Sequence, residues 1–345
     1  MKNTKVGIVT INNDYNFGNR LQNYALIKYL LNMNIDAENI YKISLKQKIK
    51  KIIKKFIPKK DYIRSGKFNK FNKNIKTKYI KDYIFNEEQY DFFIAGSDQV
   101  WNPNFAAKNE QFLNFAKNNQ KISYAASIGL SELPKQEKER FKKYLEGFKS
   151  ISVREDAGKK IIEDLTGRND IEVLIDPTML LEQEEWTKIS KKPSIKIEKK
   201  YILVYFLGEI PEKRKKVIEK IAKEKNYQII NIFDKKNNYY KFGPAEFLYL
   251  EKNASLICTD SFHSCVFSIL FNRPFIIFDR EEQNMDNMNS RTDTLLSKFK
   301  LENRRFNGKE ITKENLNHDY TEAYKILEKE RKKSEEFLKK ALDIE

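Results

Sequence analysis

His263 is one of only two histidines in 345 residues, and it sits in TDSFHSCVFSIL, where a strand-like run gives way to a helix-like one. SLICT reads as a short buried strand, and Asp260 or Ser261 can cap the helix that follows. That places His263 in the first helical turn, where free backbone N–H groups and the helix dipole attract anions. A bound anion favours the imidazolium form. A histidine so placed can hold a phosphate or carboxylate and then hand over a proton. The plain alternative is a capping or packing histidine with no chemistry.

Two arginines suit the same anion. Arg154 follows the strand-like SISV, and a guanidinium there can grip an acidic substrate through two parallel hydrogen bonds; the plain alternative is a salt bridge to Glu155 or another nearby acid. Arg291, in NMNSRTDTLL, stands just before a helix and follows the same logic. Two loops add polar groups. NNDYNFGNRLQ lacks the GxGxxG dinucleotide fingerprint, yet Gly18, with Asn16 and Asn19 around it and Gln22 behind, can open a helix N-terminus to a ligand. AGSDQVWNP sets Ser97, Asp98 and Gln99 beside Trp101. Hydrogen-bonding groups next to a flat apolar face suit a sugar, and the plain alternative is a turn with a buried Trp anchor.

Every one of these residues follows a strand or opens a helix, which is where ligands of open parallel sheets bind. KVGIVTI, DFFIAG, KISYAASIG, SISVRE and IEVLID read as strands with helical stretches between them, the first helix being NRLQNYALIKYLLNM. KKPSIKIEKK, near 191–200, is polar and broken by Pro193, a linker signature. The pattern then restarts with YILVYFLG, QIINIF, SLICT and PFIIF, again with helices between. The alternation predicts an α/β protein: two Rossmann-like domains facing a cleft, with parallel sheets covered by helices on both faces. The expected boundaries are 1–192 and 197–318, with an amphipathic helix at 319–345.

The net charge of +17 is concentrated: residues 42–81 hold sixteen Lys or Arg against one acid, a net +15. Within it, LKQKIKKIIKKFI puts Leu45, Ile49, Ile52, Ile53, Phe56 and Ile57 on one helical stripe with lysines opposite. Such a stripe at 45–57 can lie on an anionic membrane surface, or dock on the core with a solvated lysine face. No nucleic-acid motif accompanies it. No run approaches the roughly 20 apolar residues of a membrane span, and the first residues turn polar too soon for a secretory signal. Cys258 and Cys265 match no common zinc spacing. A cytoplasmic protein is expected, peripheral at the inner face of the membrane if the stripe binds there. The absence of P-loop, HExxH, DxD and nucleophile-elbow motifs argues against Walker ATPases, zincins, metal-dependent DxD transferases and serine hydrolases.

Taken in order, GIVTINNDYNFGNRLQNYAL, DFFIAGSDQVWNP, ISYAASIG, SVRED, LIDPTML, TDSFHSCVFSILFNRPFIIF and SRTDTLL resemble the polysaccharide pyruvyl transferase family. The resemblance implies a GT-B-like arrangement of two Rossmann-like domains. It also implies transfer of pyruvate from phosphoenolpyruvate to a sugar as a ketal, with no cofactor beyond phosphoenolpyruvate as co-substrate and no metal. His263 and Arg154 would then be catalytic, and Asp260, Ser261 and Arg291 would bind the donor. Asn16, Gly18, Asn19, Gln22, Ser97, Asp98, Gln99 and Trp101 would bind an acceptor carried on a nucleotide or a lipid. In characterised members a basic residue stands two positions before the histidine; here it is Ser261. That departure keeps open a glycosyl transferase using a nucleotide sugar, or a non-catalytic glycan- or anion-binding member.

Overall fold

The computed structural model describes residues 4–13, 15–43, 58–85, 89–105, 107–280, 289–316 and 319–344. The stripe at 45–57 lies outside the described residues. Two all-parallel sheets form the frame. The first has the order β3-β2-β1-β4-β5-β6-β7, built from β1 (Lys5–Val9), β2 (Asp36–Lys42), β3 (Thr77–Ile80), β4 (Phe92–Ala95), β5 (Lys121–Ala126), β6 (Ser150–Val153) and β7 (Glu172–Val173). The second has the order β11-β10-β8-β9, built from β8 (Tyr201–Tyr205), β9 (Gln228–Asn231), β10 (Leu256–Thr259) and β11 (Phe275–Ile277). Strands such as YILVY are buried along their whole length, as expected for sheets covered on both faces. The predicted α/β architecture is therefore the one observed.

The strand order reverses at one place in each sheet. β1 is flanked by β2 and β4, and β8 by β9 and β10. A crevice opens beyond the carboxyl ends of the strands at such a switch point. The four loops leaving β1, β4, β8 and β10 carry NNDYN, GSDQ, FLG and TDS. The strand order thus gathers the unusual polar strings of the sequence.

The two halves are locked together. Helix α1 (Phe17–Asn32) follows β1 and is buried on nearly every side of its first half. Phe17 stacks on Phe247 at 4.7 Å, in an apolar cluster that runs through both sheets. Helix α2 (Lys59–Asn72) belongs to the first half but docks on the second. Its Arg64 donates to the Tyr240 carbonyl at 2.8 Å and lies over the Phe17 ring at 4.6 Å. Lys60 donates to the carbonyls of Lys235, Lys236 and Asn237, and Lys67 pairs with Glu246 at 2.7 Å. Part of the basic segment is thus spent on joining the halves. The last helix of the chain, Thr321–Ala341, returns to the first half, where Arg331 donates to the carbonyls of Met179 and Leu181. Among the described residues no helix is long and apolar enough to cross a membrane.

Phe17 is fully buried at this junction. Phe17→Ala is expected to cost about 3–5 kcal/mol of stability and to loosen the loop that leads into α1. Urea unfolding of the pair of proteins measures it.

Candidate active site

β10 ends at Thr259, and the helices that alternate with and follow the strands include α3 (Lys135–Leu145), α4 (Asp156–Thr166), α5 (Gln183–Ile189), α6 (Glu212–Lys225), α7 (Pro244–Asn253), α8 (Phe262–Leu270) and α9 (Ser290–Phe299). Ser261 is the N-cap residue of α8, in extended conformation, but its side chain makes no capping hydrogen bond. His263 is the second residue of α8, so it occupies the first turn as predicted. Its Nε2 lies 3.6 Å from Asp176 Oδ2. On the other side of the ring is Gly18: a Cβ there would sit 2.2 Å from His263 Nδ1. The glycine of the first loop is therefore explained by close approach to the imidazole. Gly18→Ala should displace the ring. A shift of about 1 Å in a catalytic group can cost about 100-fold in rate, so steady-state kinetics should show kcat falling by about that factor with the fold retained.

Arg154, immediately after β6, is buried. Its Nη1 donates to Asp176 Oδ2 at 2.7 Å, and the Phe262 ring lies 4.4 Å from its guanidinium carbon. Asp176 also accepts from Ser97 Oγ at 2.9 Å and from the backbone N and Oγ1 of Thr178. Burial alone would raise the Asp176 carboxyl. The charges of His263 and Arg154 and the hydrogen bonds outweigh it and hold the group well below the usual carboxylate range. The plain alternative for Arg154, a salt bridge, holds for one of its nitrogens. Its Nε and Nη2 are buried with no hydrogen-bond partner among the described residues.

Arg291 reaches the same place from the second half. Thr294, one turn further along α9, exchanges hydrogen bonds with Asp156 at the start of α4, which docks α9 against the first sheet's loops. Arg291 is buried and its Nε has no partner among the described residues. Burial, then the neighbouring charges of Arg154 and Arg280, push its guanidinium down to about 9, against the opposing pull of Glu155 and Asp98. Glu155 holds the loop after β5 by accepting from Ser127 Oγ and the backbone N of Ile128 and Gly129. The result is three arginines and an imidazole gathered at one crevice. Nitrogens on Arg154 and Arg291 are buried there with no hydrogen-bond partner among the described residues, beside a histidine whose Nε2 faces Asp176, an arrangement that suits an anion.

The first-sheet loops divide into a surface and its scaffold. Asp98 takes a positive φ of 77°, a conformation unusual for a non-glycine residue and common where function constrains the backbone. Its Oδ2 accepts from Asn19 Nδ2 at 2.8 Å. Burial raises its carboxyl, but His263, Arg154, the Asn19 hydrogen bond and Arg291 together bring it below the ordinary value. Asp98 and Gln99 stay partly accessible. Asn19 and Gln22 are fully buried and hold the loop: Asn19 donates to the Ile11 carbonyl and Gln22 to Thr10 Oγ1. Asn16 caps α1 through the backbone N of Asn19, and Ser97 is tied to Asp176.

Two predicted contacts need correction. Trp101 is fully buried, its indole donates to the Gln111 carbonyl at 3.0 Å, and its face stacks on Phe112. It anchors the loop and has no open face for a sugar. Asp260 does not face an anion either. Its carboxylate accepts from the backbone N of Leu207 and Gly208 and from Arg280 Nε, so it fixes the loop after β8. Ser261 is buried, and its backbone N donates to Thr259 Oγ1. Sequence reasoning gave no role to Asp176 or Arg280 and offered Glu155 only as a salt-bridge partner for Arg154, whereas it holds the loop after β5. The position of Asp176 just past a strand, before Pro177, was the available signal; nothing local marks Arg280.

Residues 16–282 match the model for the family described as polysaccharide pyruvyl transferase. No curated protein sequence matches the chain. Among solved structures, a UDP-N-acetylglucosamine 2-epimerase from Rickettsia bellii is similar with a TM-score of 0.55 at 10% identity, covering 99% of this chain and 98% of that one. A Listeria monocytogenes protein described as an enzyme of the same kind gives a TM-score of 0.50 at 10% identity, covering 98% and 91%. At these identities the likeness is one of fold, the GT-B-like pair of parallel sheets. The family match takes in the loops leaving β4, β8 and β10 together with Gly18, Arg154, Asp176 and His263, and the chain belongs to the polysaccharide pyruvyl transferase family.

Proposed function

We propose that the protein transfers a pyruvyl group from phosphoenolpyruvate to a sugar of a cell-surface polysaccharide or its precursor, forming a ketal. One observation carries the reading: buried guanidinium nitrogens of Arg154 and Arg291, with no hydrogen-bond partner among the described residues, lie beside His263, where the loop after β1 meets the start of α8. A small anion with a phosphate and a carboxylate offers acceptor oxygens to those nitrogens.

In the proposed reaction His263, as imidazolium, protonates the methylene carbon of phosphoenolpyruvate, and an oxocarbenium-like centre forms at C2. A sugar hydroxyl adds to C2 and gives up its proton to a carboxylate, for which Asp98 is the accessible choice. The C2–O bond to phosphate then breaks, with Arg154 and Arg291 stabilising the departing charge. A second hydroxyl adds and loses its proton, which closes the ketal. The net change is one phosphoenolpyruvate and one diol converted to one ketal and one phosphate. Ser97 and Asp176 keep Arg154 and His263 in register. Incubation with phosphoenolpyruvate and nucleotide- or lipid-linked sugars tests this: phosphate release coupled to a sugar product carrying a ketal-linked pyruvyl group is expected. Phosphate release with no modified sugar would contradict it.

Ser261 favours one second reading. Without a cation at that position, the pocket could instead take the diphosphate of a nucleotide sugar, in a glycosyl transferase. Consumption of a nucleotide sugar without phosphoenolpyruvate would establish that alternative.

A further inference from the structure

Arg280 enters from β11, on the far side of the second switch point from β8. Its approach is fixed by the strand that carries it. Phe278 N donates to the Thr259 carbonyl at 2.8 Å, Arg214 donates to the Asp279 carbonyl, and Arg305 pairs with the Asp279 carboxylate. Arg280 Nε then contacts Asp260 Oδ2 at 3.2 Å. Its side chain is about four-fifths buried, at 17% exposure. The two terminal nitrogens of the guanidinium have no hydrogen-bond partner among the described residues, although the same charge is felt at Arg291.

The pairing with Asp260 explains more than an ion pair would need. Asp260 is the residue before the N-cap of α8, and a free carboxylate there would repel an anion at the helix N-terminus. Here both of its oxygens are engaged, by the backbone N of Leu207 and Gly208 and by Arg280. The carboxylate is neutralised, and the guanidinium is held by one edge with the other edge left over. An arginine gripped at Nε and open at its terminal nitrogens is suited to a phosphoryl group.

We propose that Arg280, positioned by Asp260, is a phosphoryl-binding residue of the same pocket and supplies the cation that position 261 lacks. The inference rests on the reading of the crevice as an anion site, and it holds for the phosphate of phosphoenolpyruvate or the diphosphate of a nucleotide sugar alike. A purely structural Arg280–Asp260 pair would contribute to stability and leave anion affinity unchanged.

Isothermal titration of the full chain with inorganic phosphate, phosphoenolpyruvate and UDP separates these cases. A charge-assisted hydrogen bond contributes about 1.5–3 kcal/mol, so Arg280→Ala should weaken phosphate and phosphoenolpyruvate binding by about 10- to 100-fold, and Arg280→Lys should weaken it less. Unchanged affinities in Arg280→Ala, with only the melting temperature lowered, would overturn the proposal. If Arg280→Ala is silent while Arg154→Leu loses phosphoenolpyruvate, the inference fails and the donor reading stands. If the wild type binds UDP in an Arg280-dependent way and ignores phosphoenolpyruvate, the donor reading fails and Arg280 keeps its role.

Discussion

His263→Ala is expected to lower kcat for pyruvyl transfer by about 10²–10⁴-fold, the usual contribution of a positioned general acid. The ring is fixed from two directions, by Gly18 on one face and Asp176 at Nε2. Removing it leaves Arg154 and Asp176 paired at 2.7 Å, so the fold should survive. His263→Gln keeps hydrogen-bonding capacity without an acidic proton and should be as slow as alanine while binding phosphoenolpyruvate better. Wild-type turnover in either variant would remove the imidazole from the mechanism.

Arg154→Leu is expected to act on both stability and donor binding. The Arg154–Asp176 pair is buried on both sides, with side-chain exposures of 1% and 0%. Breaking such a pair by removing one partner costs about 3–5 kcal/mol, because the remaining carboxylate is left in the core. The pH dependence has a definite sign. In the wild type the Asp176 carboxyl is held below its unfolded value, so its contribution to stability is complete above the ordinary carboxylate range and is lost only as pH falls through the depressed folded value. Without Arg154 the folded value rises, and the acid side of the stability profile should move toward neutral pH. Phosphoenolpyruvate affinity should fall in the same variant, since Nε and Nη2 are the donors free to receive it. A variant as stable as the wild type, with unchanged acid unfolding, would contradict the buried pair.

What the sequence disclosed depended on how local each feature was. TDSFH and the loop around Gly18 were readable because a strand end, a cap and a helix start lie within a few residues. The strand YILVY announced itself as an unbroken apolar run. DAENIYK did not: β2 mixes Asp, Glu and Asn with its buried Ala37, Asn39 and Ile40, and neither alternation nor an apolar run marks it. Helix Lys59–Asn72 was hidden by the charge around it, and its role in joining the halves follows only from contacts about 170 residues distant in sequence, such as Arg64 with Tyr240 (|i−j| = 176). Trp101 was misread because a short string cannot say whether an indole faces a ligand or a core. Asp176, Glu155 and Arg280 acquire their partners from other strands, so composition and spacing carried little trace of them.

The central claim is that the crevice binds phosphoenolpyruvate through Arg154, Arg291 and His263. Thermal unfolding of the wild type titrated with phosphoenolpyruvate, beside nucleotide sugars and with His263→Ala and Arg154→Leu in parallel, tests it most directly. Ligand at about 100 times its dissociation constant adds about 2.7 kcal/mol of stability. The account predicts a clear rise in the unfolding temperature with phosphoenolpyruvate that is reduced in His263→Ala and absent in Arg154→Leu. A rise with a nucleotide sugar and none with phosphoenolpyruvate would contradict it.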